Sequence, residues 1–427
     1  MPLTEHQVEK KDEIFNYLRE GTNRILLLGS AGTGKTYLAG ELVKLFKRDF
    51  TINKLFNNGR IYALAPTNKA LAVLMGKINS PVEFKTTHSA LKMVKSQPDR
   101  ITGLRKFVRA KKSFNKEDDF EHCKIAINDE CSMLNSELLT YLQDYNFPII
   151  FMGDDKQINP VGEPFSPVFH QNYATVKLTE IVRQGKGNPI IDLSNDLDLI
   201  YFKEPNMIDG KGYTYSNAKN ILIDNLAEVN GTDEMKYLAF TNDTVDDTNR
   251  LVRERRYGTP KRIEKDETIV FNSPFGSFYT NQEVKVENVE VITDYILVPA
   301  AKTRYDKDNI PISNVDKIKM KCYRINDSIN VVHEQSDYIF KEILKGINYY
   351  CAKHGWDWRG KYYFTEQFAD IKYNHAITVH KSQGSTYKEA IVNIGDITLN
   401  RNIEERNRLL YTGITRASDV VILNNVK

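Results

Sequence analysis

The chain has 427 residues, 41% of them hydrophobic and 27% charged, and a formal net charge of +3. This is the composition of a globular protein of about two to four domains, and no apolar run approaches the roughly 20 residues of a membrane span. Bulk charge announces no polyanion partner, and Cys123, Cys131, Cys322 and Cys351 lack metal-ligand spacing, which argues against structural zinc and suits a reducing compartment. The first residues, Met1 to His6, lack the basic-then-apolar pattern of a secretory leader, so a cytoplasmic location is expected.

In chain order, the first predicted strand is the apolar run Ile25–Leu28. It is followed by the glycine-rich Gly29–Thr36 and then by the helix-favouring Tyr37–Phe46. Strand, GxxxxGKT loop and helix in that order form a Walker A element. Its backbone N–H groups, from Gly29, Ala31, Gly32, Thr33 and Gly34 onward, curl around a polyphosphate at the positive end of a helix. Lys35 is expected on the β/γ-phosphates and Thr36 on Mg²⁺, which makes ATP with Mg²⁺ the expected ligand pair.

Ile61–Ala65 is the second predicted strand, ending at Pro66, Thr67 and Asn68. Between Lys85 and Lys116 lie ten basic residues against one acid, Asp99. An insert of that density reads equally as a phosphate-contacting surface or as a solvated loop. Ile125–Ile127 then runs into Asp129 and Glu130, a Walker B pair. Asp129 would complete the Mg²⁺ shell and Glu130 would activate the attacking water. The polar Asn128 at the end of a buried strand has no explanation at this level. Ile149–Met152 ends at Gly153–Gln157, where the uncharged Gln157 can report a γ-phosphate. Apolar strands separated by helical stretches, with polar clusters at their ends, predict a parallel α/β sheet with a ligand site beyond its carboxyl edge.

A second set of strands, Tyr237–Phe240, Ala376–Val379, Ala390–Ile394 and Val420–Leu423, predicts another α/β sheet without a P-loop. Within it, Thr268 to Asp370 alternates more and holds both tryptophans, Trp356 and Trp358, as a small β-rich insert would. Hydrolysis needs cations where charge develops, and Arg183 and Arg416 are the candidates. Arg416 on the second sheet domain suits an arginine finger acting in cis.

The ordered series Gly29–Thr36, Ala65–Ala70, Thr87–Ser89, Asp129–Glu130, Gly153–Gln157, Leu178–Gln184, Val379–Gly384 and Tyr411–Arg416 resembles the motif set of superfamily 1 helicases. The closest fit is the 5′→3′ branch, 1B, which includes the Dda and RecD types. The resemblance spans nearly the whole chain and implies two RecA-like P-loop-type domains. The first would comprise 1–84 and 117–180, interrupted by a basic pin-like insert at 85–116. The second would comprise 181–267 and 371–427, interrupted by an SH3-like insert at 268–370. It further implies an ATP-dependent helicase that translocates 5′→3′ on single-stranded DNA and unwinds forked duplex as a monomer. Single-strand-binding or replisome proteins are its candidate partners, and no membrane is implied.

By the same resemblance, Gln7 contacts adenine and Gly384 faces the nucleotide. Pro66, Thr67, Asn68, Thr87 and His88 hold DNA on the first domain, and Thr241, Asn242, Thr378, His380 and Lys381 on the second. Phe107 or Phe114 forms the pin, though both serve equally as core residues of a short hairpin, and Trp356 and Trp358 brace it or, as the weightier reading, pack in the core. Hydroxyls and amides suit a track that grips a backbone without reading bases. Two other classes fit parts of the pattern. A small-molecule kinase would share the P-loop but would need no second sheet domain. A remodelling protein would translocate without a pin.

Overall fold

The computed structural model describes residues 2–48, 59–110, 120, 122–182, 188–197, 204–229, 234–306 and 309–424. The chain divides into two compact units. One comprises Met1–Lys92, Lys111–Val252 and His375–Lys427, and the other Met93–Ala110 and Arg253–Asn374.

The first unit is built on two six-stranded sheets. In the first sheet the strand order is Glu83–Thr86, Arg60–Ala65, Cys123–Asn128, Ile149–Gly153, Arg24–Gly29, Ala174–Leu178, all parallel. The central strands are apolar on both faces because helices cover both, and Leu27, Ile61, Ile127, Ile150 and Met152 share one core with Ile14, Leu38 and Phe46. All strands being parallel, their carboxyl ends lie on one edge, which collects the polar clusters expected from the sequence. The edge strand Ala174–Leu178 alternates buried and accessible residues, so no continuous apolar run announces it.

The second sheet is ordered Ala376–Thr378, Met235–Ala239, Tyr387–Asn393, Ala417–Asn424, Lys211–Tyr215, Asn206–Ile208. Its first five strands are parallel and the last is an antiparallel edge. The doubled α/β architecture predicted from the two sets of apolar runs is thus present.

The second unit carries the basic hairpin and the inserted segment. Met93–Lys95 pairs antiparallel with Phe107–Arg109, and Asp99 folds the tip by accepting from the backbone N–H of Ile101 (3.0 Å) and Thr102 (2.7 Å). Thr268–Phe271 lies between Glu283–Lys285 and Ile371–Tyr373. A long ribbon pairs Val289–Tyr305 with Pro311–Ile325, and Ile329–Val332 adds a third strand. Two helices, Asp337–His354 and Arg359–Thr365, also lie in this stretch, and Ile296, Met320, Cys322, Ile347, Trp358 and Phe364 form a core between them and the ribbon.

The hairpin tip is fastened to this core. Trp358 Nε1 donates to Arg100 O at 3.1 Å and the Tyr362 hydroxyl to Gly103 O at 2.7 Å. The Arg105 guanidinium lies 3.8 Å from the Tyr362 ring centroid and donates to Glu366 Oε1 at 3.1 Å. Gly103 has φ +68°, and a Cβ there would stand 2.4 Å from the Trp358 ring, so both backbone and packing require glycine. Trp358 therefore serves core and hairpin together, while Trp356 stacks on Tyr350.

Candidate functional site: a P-loop shared between two sheets

The P-loop leaves the strand Arg24–Gly29 and enters the helix Lys35–Arg48. Gly32 (φ 85°) and Gly34 (φ 82°) make its left-handed turns. The Lys35 ammonium folds back onto the loop, donating to Ser30 O at 3.2 Å and to Gly29 O. Gln7 is buried beside the loop. Its amide donates to Thr33 O at 3.0 Å and accepts from Thr4 N at 3.1 Å, in the capping box that starts the first helix. The Gln7 side chain thus ties the helix Glu5–Arg19 to the P-loop.

The Walker B strand brings its acids alongside. Thr36 Oγ1 donates to Asp129 Oδ2 at 3.3 Å. Burial, with Glu130 adjacent, pushes the Asp129 carboxyl up to about 7, while Lys35 pulls it back down. A carboxyl beside a hydroxyl offers two oxygen ligands to a hard divalent cation, which would take the place of the Asp129 proton on binding. Among the described residues no group of three or more His, Cys, Asp and Glu forms a self-sufficient metal cage. Glu130 sits at φ 50°, a left-handed conformation that non-glycine residues avoid and that concentrates at functional sites.

The neighbouring strand end completes the pocket. A Cβ on Gly153 would meet Cys131 Sγ at 2.6 Å, so glycine lets this strand end close on the turn Cys131–Met133. Gln157 is buried, and its Oε1 has no hydrogen-bond partner among the described residues, an open acceptor in the site. Asp154 is buried and accepts from the Tyr411 hydroxyl at 2.8 Å, and that same hydroxyl accepts from Ala31 N at 3.3 Å. A side chain of the second sheet domain therefore touches the P-loop and the Gln157 loop together. Gly384 (φ +74°) also reaches across, and a Cβ there would lie 3.2 Å from Ala70 Cβ.

Arg416 is buried in its own domain. Nε donates to Thr412 O at 3.1 Å, and the two terminal nitrogens to Ser385 O (3.2 Å) and Thr415 Oγ1 (3.4 Å). Arg183 and Phe114 lie outside the described residues. Phe107 is on the hairpin and 49% exposed, yet the most exposed apolar side chain at the tip is Ile101, at 85%.

The residues expected on DNA fall at two strand edges. Pro66, Thr67 and Asn68 follow one strand end, and Thr87 and His88 follow its neighbour. Thr67 caps the helix Asn68–Lys77, accepting from Ala70 N at 3.2 Å. Thr87 is fully buried, with its hydroxyl donating to Ala65 O at 3.3 Å and accepting from Asn128 Nδ2 at 3.0 Å. Its hydroxyl is engaged within the domain. On the second sheet, adjacent strands place Thr241 and Asn242 beside Thr378, His380 and Lys381. Thr378 Oγ1 accepts from Lys381 N at 3.3 Å. Asp396, to which the sequence reading gave no role, holds this edge. It accepts from Phe240 N (2.6 Å), Thr241 N (2.8 Å), Thr241 Oγ1 (2.8 Å) and Thr244 Oγ1 (2.7 Å).

Comparison with known proteins agrees with this arrangement. A family model for an AAA domain matches residues 5–199, and one for a UvrD-like helicase C-terminal domain matches 373–423. The chain is 28% identical to the ATP-dependent DNA helicase dda of Enterobacteria phage T4, over 97% of each chain. It is 27% identical to the uncharacterized protein R530 of Acanthamoeba polyphaga mimivirus, over 96% of this chain and 97% of that one. Among solved structures, Bacteroides Pif1 bound to single-stranded DNA aligns with TM-score 0.51 at 17% identity, over 99% of this chain and 92% of that one. The likeness to Pif1 is one of fold.

Proposed function

We infer that this chain is a superfamily 1B helicase of the Dda and Pif1 kind, an ATP-dependent motor that moves 5′→3′ along single-stranded DNA and unwinds duplex DNA. The observation that carries the reading is the Tyr411 hydroxyl, bonded to both Ala31 N and Asp154. A P-loop enzyme acting on a small molecule has no need of a second RecA-like sheet reaching into its nucleotide loop. A motor does, because the nucleotide must change how two DNA grips stand to each other.

Within this reading the loop amides from Ala31 to Thr36 cradle the phosphates, and Lys35 turns from the loop carbonyls to the β/γ-phosphates. Thr36 and Asp129 hold Mg²⁺, which neutralises phosphate charge when bound. Glu130 takes the proton of the attacking water, and Gln157 supplies its open Oε1 to orient it. Arg416 meets the charge that develops on the γ-phosphate. The two strand edges, with Pro66, Thr67, Asn68 and His88 on one and Thr241, Asn242, Thr378, His380 and Lys381 on the other, grip the DNA backbone in turn. The hairpin Met93–Arg109 is the strand-separating pin, stiffened by Trp358 and Tyr362, with Ile101 at its tip and the expected Phe107 on its paired strand.

The test is steady-state ATP turnover with and without single-stranded DNA, against a duplex control. Strong stimulation by the single strand is expected, and Lys35→Ala abolishes it together with nucleotide binding. Turnover indifferent to DNA would overturn the motor reading.

A further inference from the structure

Of everything outside the residues already given a role, the attachment of the loop Asp154–Ile158 carries an argument furthest. This loop follows the strand Ile149–Gly153 of the first sheet and holds Gln157. Beyond the Tyr411 contact, the second sheet domain grips its backbone at two further points. Arg408 donates through one terminal nitrogen to Gln157 O at 2.9 Å and to Asp155 O. Gln383 Nε2 donates to Ile158 O at 3.4 Å.

The elements that make these contacts matter as much as the distances. Arg408 and Tyr411 lie on one helix, Ile403–Ile414, and Arg416 follows it directly, anchored to the helix through Thr412 O. That helix is packed into the second core through Leu409, Leu410 and Ile414, so it moves with its sheet. The guanidinium of Arg408 is itself aimed by Glu404, one turn earlier, at 3.1 Å. A planar guanidinium fixed at one side presents its other donors in a set direction, which an ammonium does not.

We propose that Arg408 is a positioning residue that couples the γ-phosphate-reporting loop to the second RecA-like domain, so that one helix sets both Gln157 and Arg416. The proposal rests on the helicase reading above. Arg408 touches no reacting atom. It holds the carbonyl of Gln157 and through it the direction of the Gln157 amide. When the loop shifts with nucleotide state, the helix shifts with it, and the second DNA grip follows. Without Arg408 the loop retains the Tyr411 and Gln383 contacts, but the carbonyl of the reporting residue is released.

The test compares Arg408→Ala and Arg408→Lys with the parent in the full chain, measuring base pairs unwound per ATP on a forked duplex. The KM values for ATP and single-stranded DNA, and the melting temperature, are measured alongside. In Arg408→Ala, base pairs unwound per ATP are expected to fall about tenfold while KM for ATP stays within about twofold; Arg408→Lys recovers only part of the loss, since an ammonium lacks the fork geometry. A purely structural role lowers turnover and unwinding together and leaves their ratio unchanged, and that result would overturn the proposal. If Arg408→Ala fails to fold, the ratio in Arg408→Lys decides alone, and parental coupling there would refute it. Failure of the parent to show DNA-stimulated turnover would strike the helicase reading instead, so the two are separable.

Discussion

Asn128 Nδ2 donates to Thr87 Oγ1 at 3.0 Å, and the Thr87 hydroxyl donates on to Ala65 O at 3.3 Å. A polar residue at the end of a buried apolar strand thereby acquires a purpose. Asn128 immediately precedes Asp129, and Ala65 immediately precedes Pro66, so the chain of bonds spans from the Walker B acid to the first strand edge expected on DNA. The Thr87 hydroxyl would keep its own acceptor, so losing the bond from Asn128 costs about 0.5–1.5 kcal/mol. Asn128→Ala is therefore expected to lower stability by about that much in urea titration. It should also raise the KM for single-stranded DNA severalfold at unchanged KM for ATP. A DNA KM equal to the parent's would confine this bond to stability.

The hairpin gives a cleaner separation of activities. Gly103→Ala places a methyl against the Trp358 ring on a backbone that disfavours it. Duplex unwinding is expected to fall at least tenfold, with DNA-stimulated ATP turnover within about twofold of the parent. Ile101→Asp tests the tip itself without touching the brace. Forked-duplex unwinding and ATPase assays on both variants decide the matter, and parental unwinding by both would remove the pin assignment.

Arg416 combines a candidate catalytic role with buried bonds to its own domain. Arg416→Ala is expected to reduce turnover about 10³-fold or more while nucleotide still binds. The measurement is single-turnover hydrolysis beside equilibrium binding of a fluorescent nucleotide. Near-normal turnover in a folded variant would leave Arg416 as a structural residue only.

His380 supplies a pH dependence. Burial holds its imidazole below the ordinary 6.5, and Glu405, with Oε1 3.9 Å away, opposes this only partly. The unfolded chain therefore takes up its proton first as pH falls. Stability is full above pH 6.5 and declines below it, by at most about 1.4 kcal/mol per pH unit for this one group. Denaturation midpoints between pH 7.5 and 5.5 should fall in the parent and fall less steeply in His380→Gln. Equal slopes would place the acid sensitivity elsewhere.

What could be read from the sequence follows from how local each signal is. The central strands are apolar runs and the P-loop is eight contiguous residues, so both stand out without a structure. The edge strands Ala174–Leu178 and Lys211–Tyr215 are half polar and were not read as strands. The helix Asp337–His354 lies inside the stretch whose alternation predicts a β-rich insert, although Ile343, Ile347 and Cys351 recur at helical spacing on its buried side. In the site, Lys35, Asp129, Glu130 and Gln157 were legible because each sits in a short motif at a strand end. Arg408, Gln383 and Asp396 were not, because what they do is decided by backbone groups far away in the chain. Gln7 illustrates the remaining gap, since the resemblance puts it on adenine while its bonds to Thr4 and Thr33 needed the fold.

Gly384 bears on the mechanics of the molecule. It stands where a single methyl group would already press on Ala70. The turn that carries Gly384 and the helix Asn68–Lys77 therefore meet with less than one carbon atom of clearance. A contact of that kind acts as a gauge, because the size of the residue admitted at position 384 measures how closely the two domains are fitted to each other.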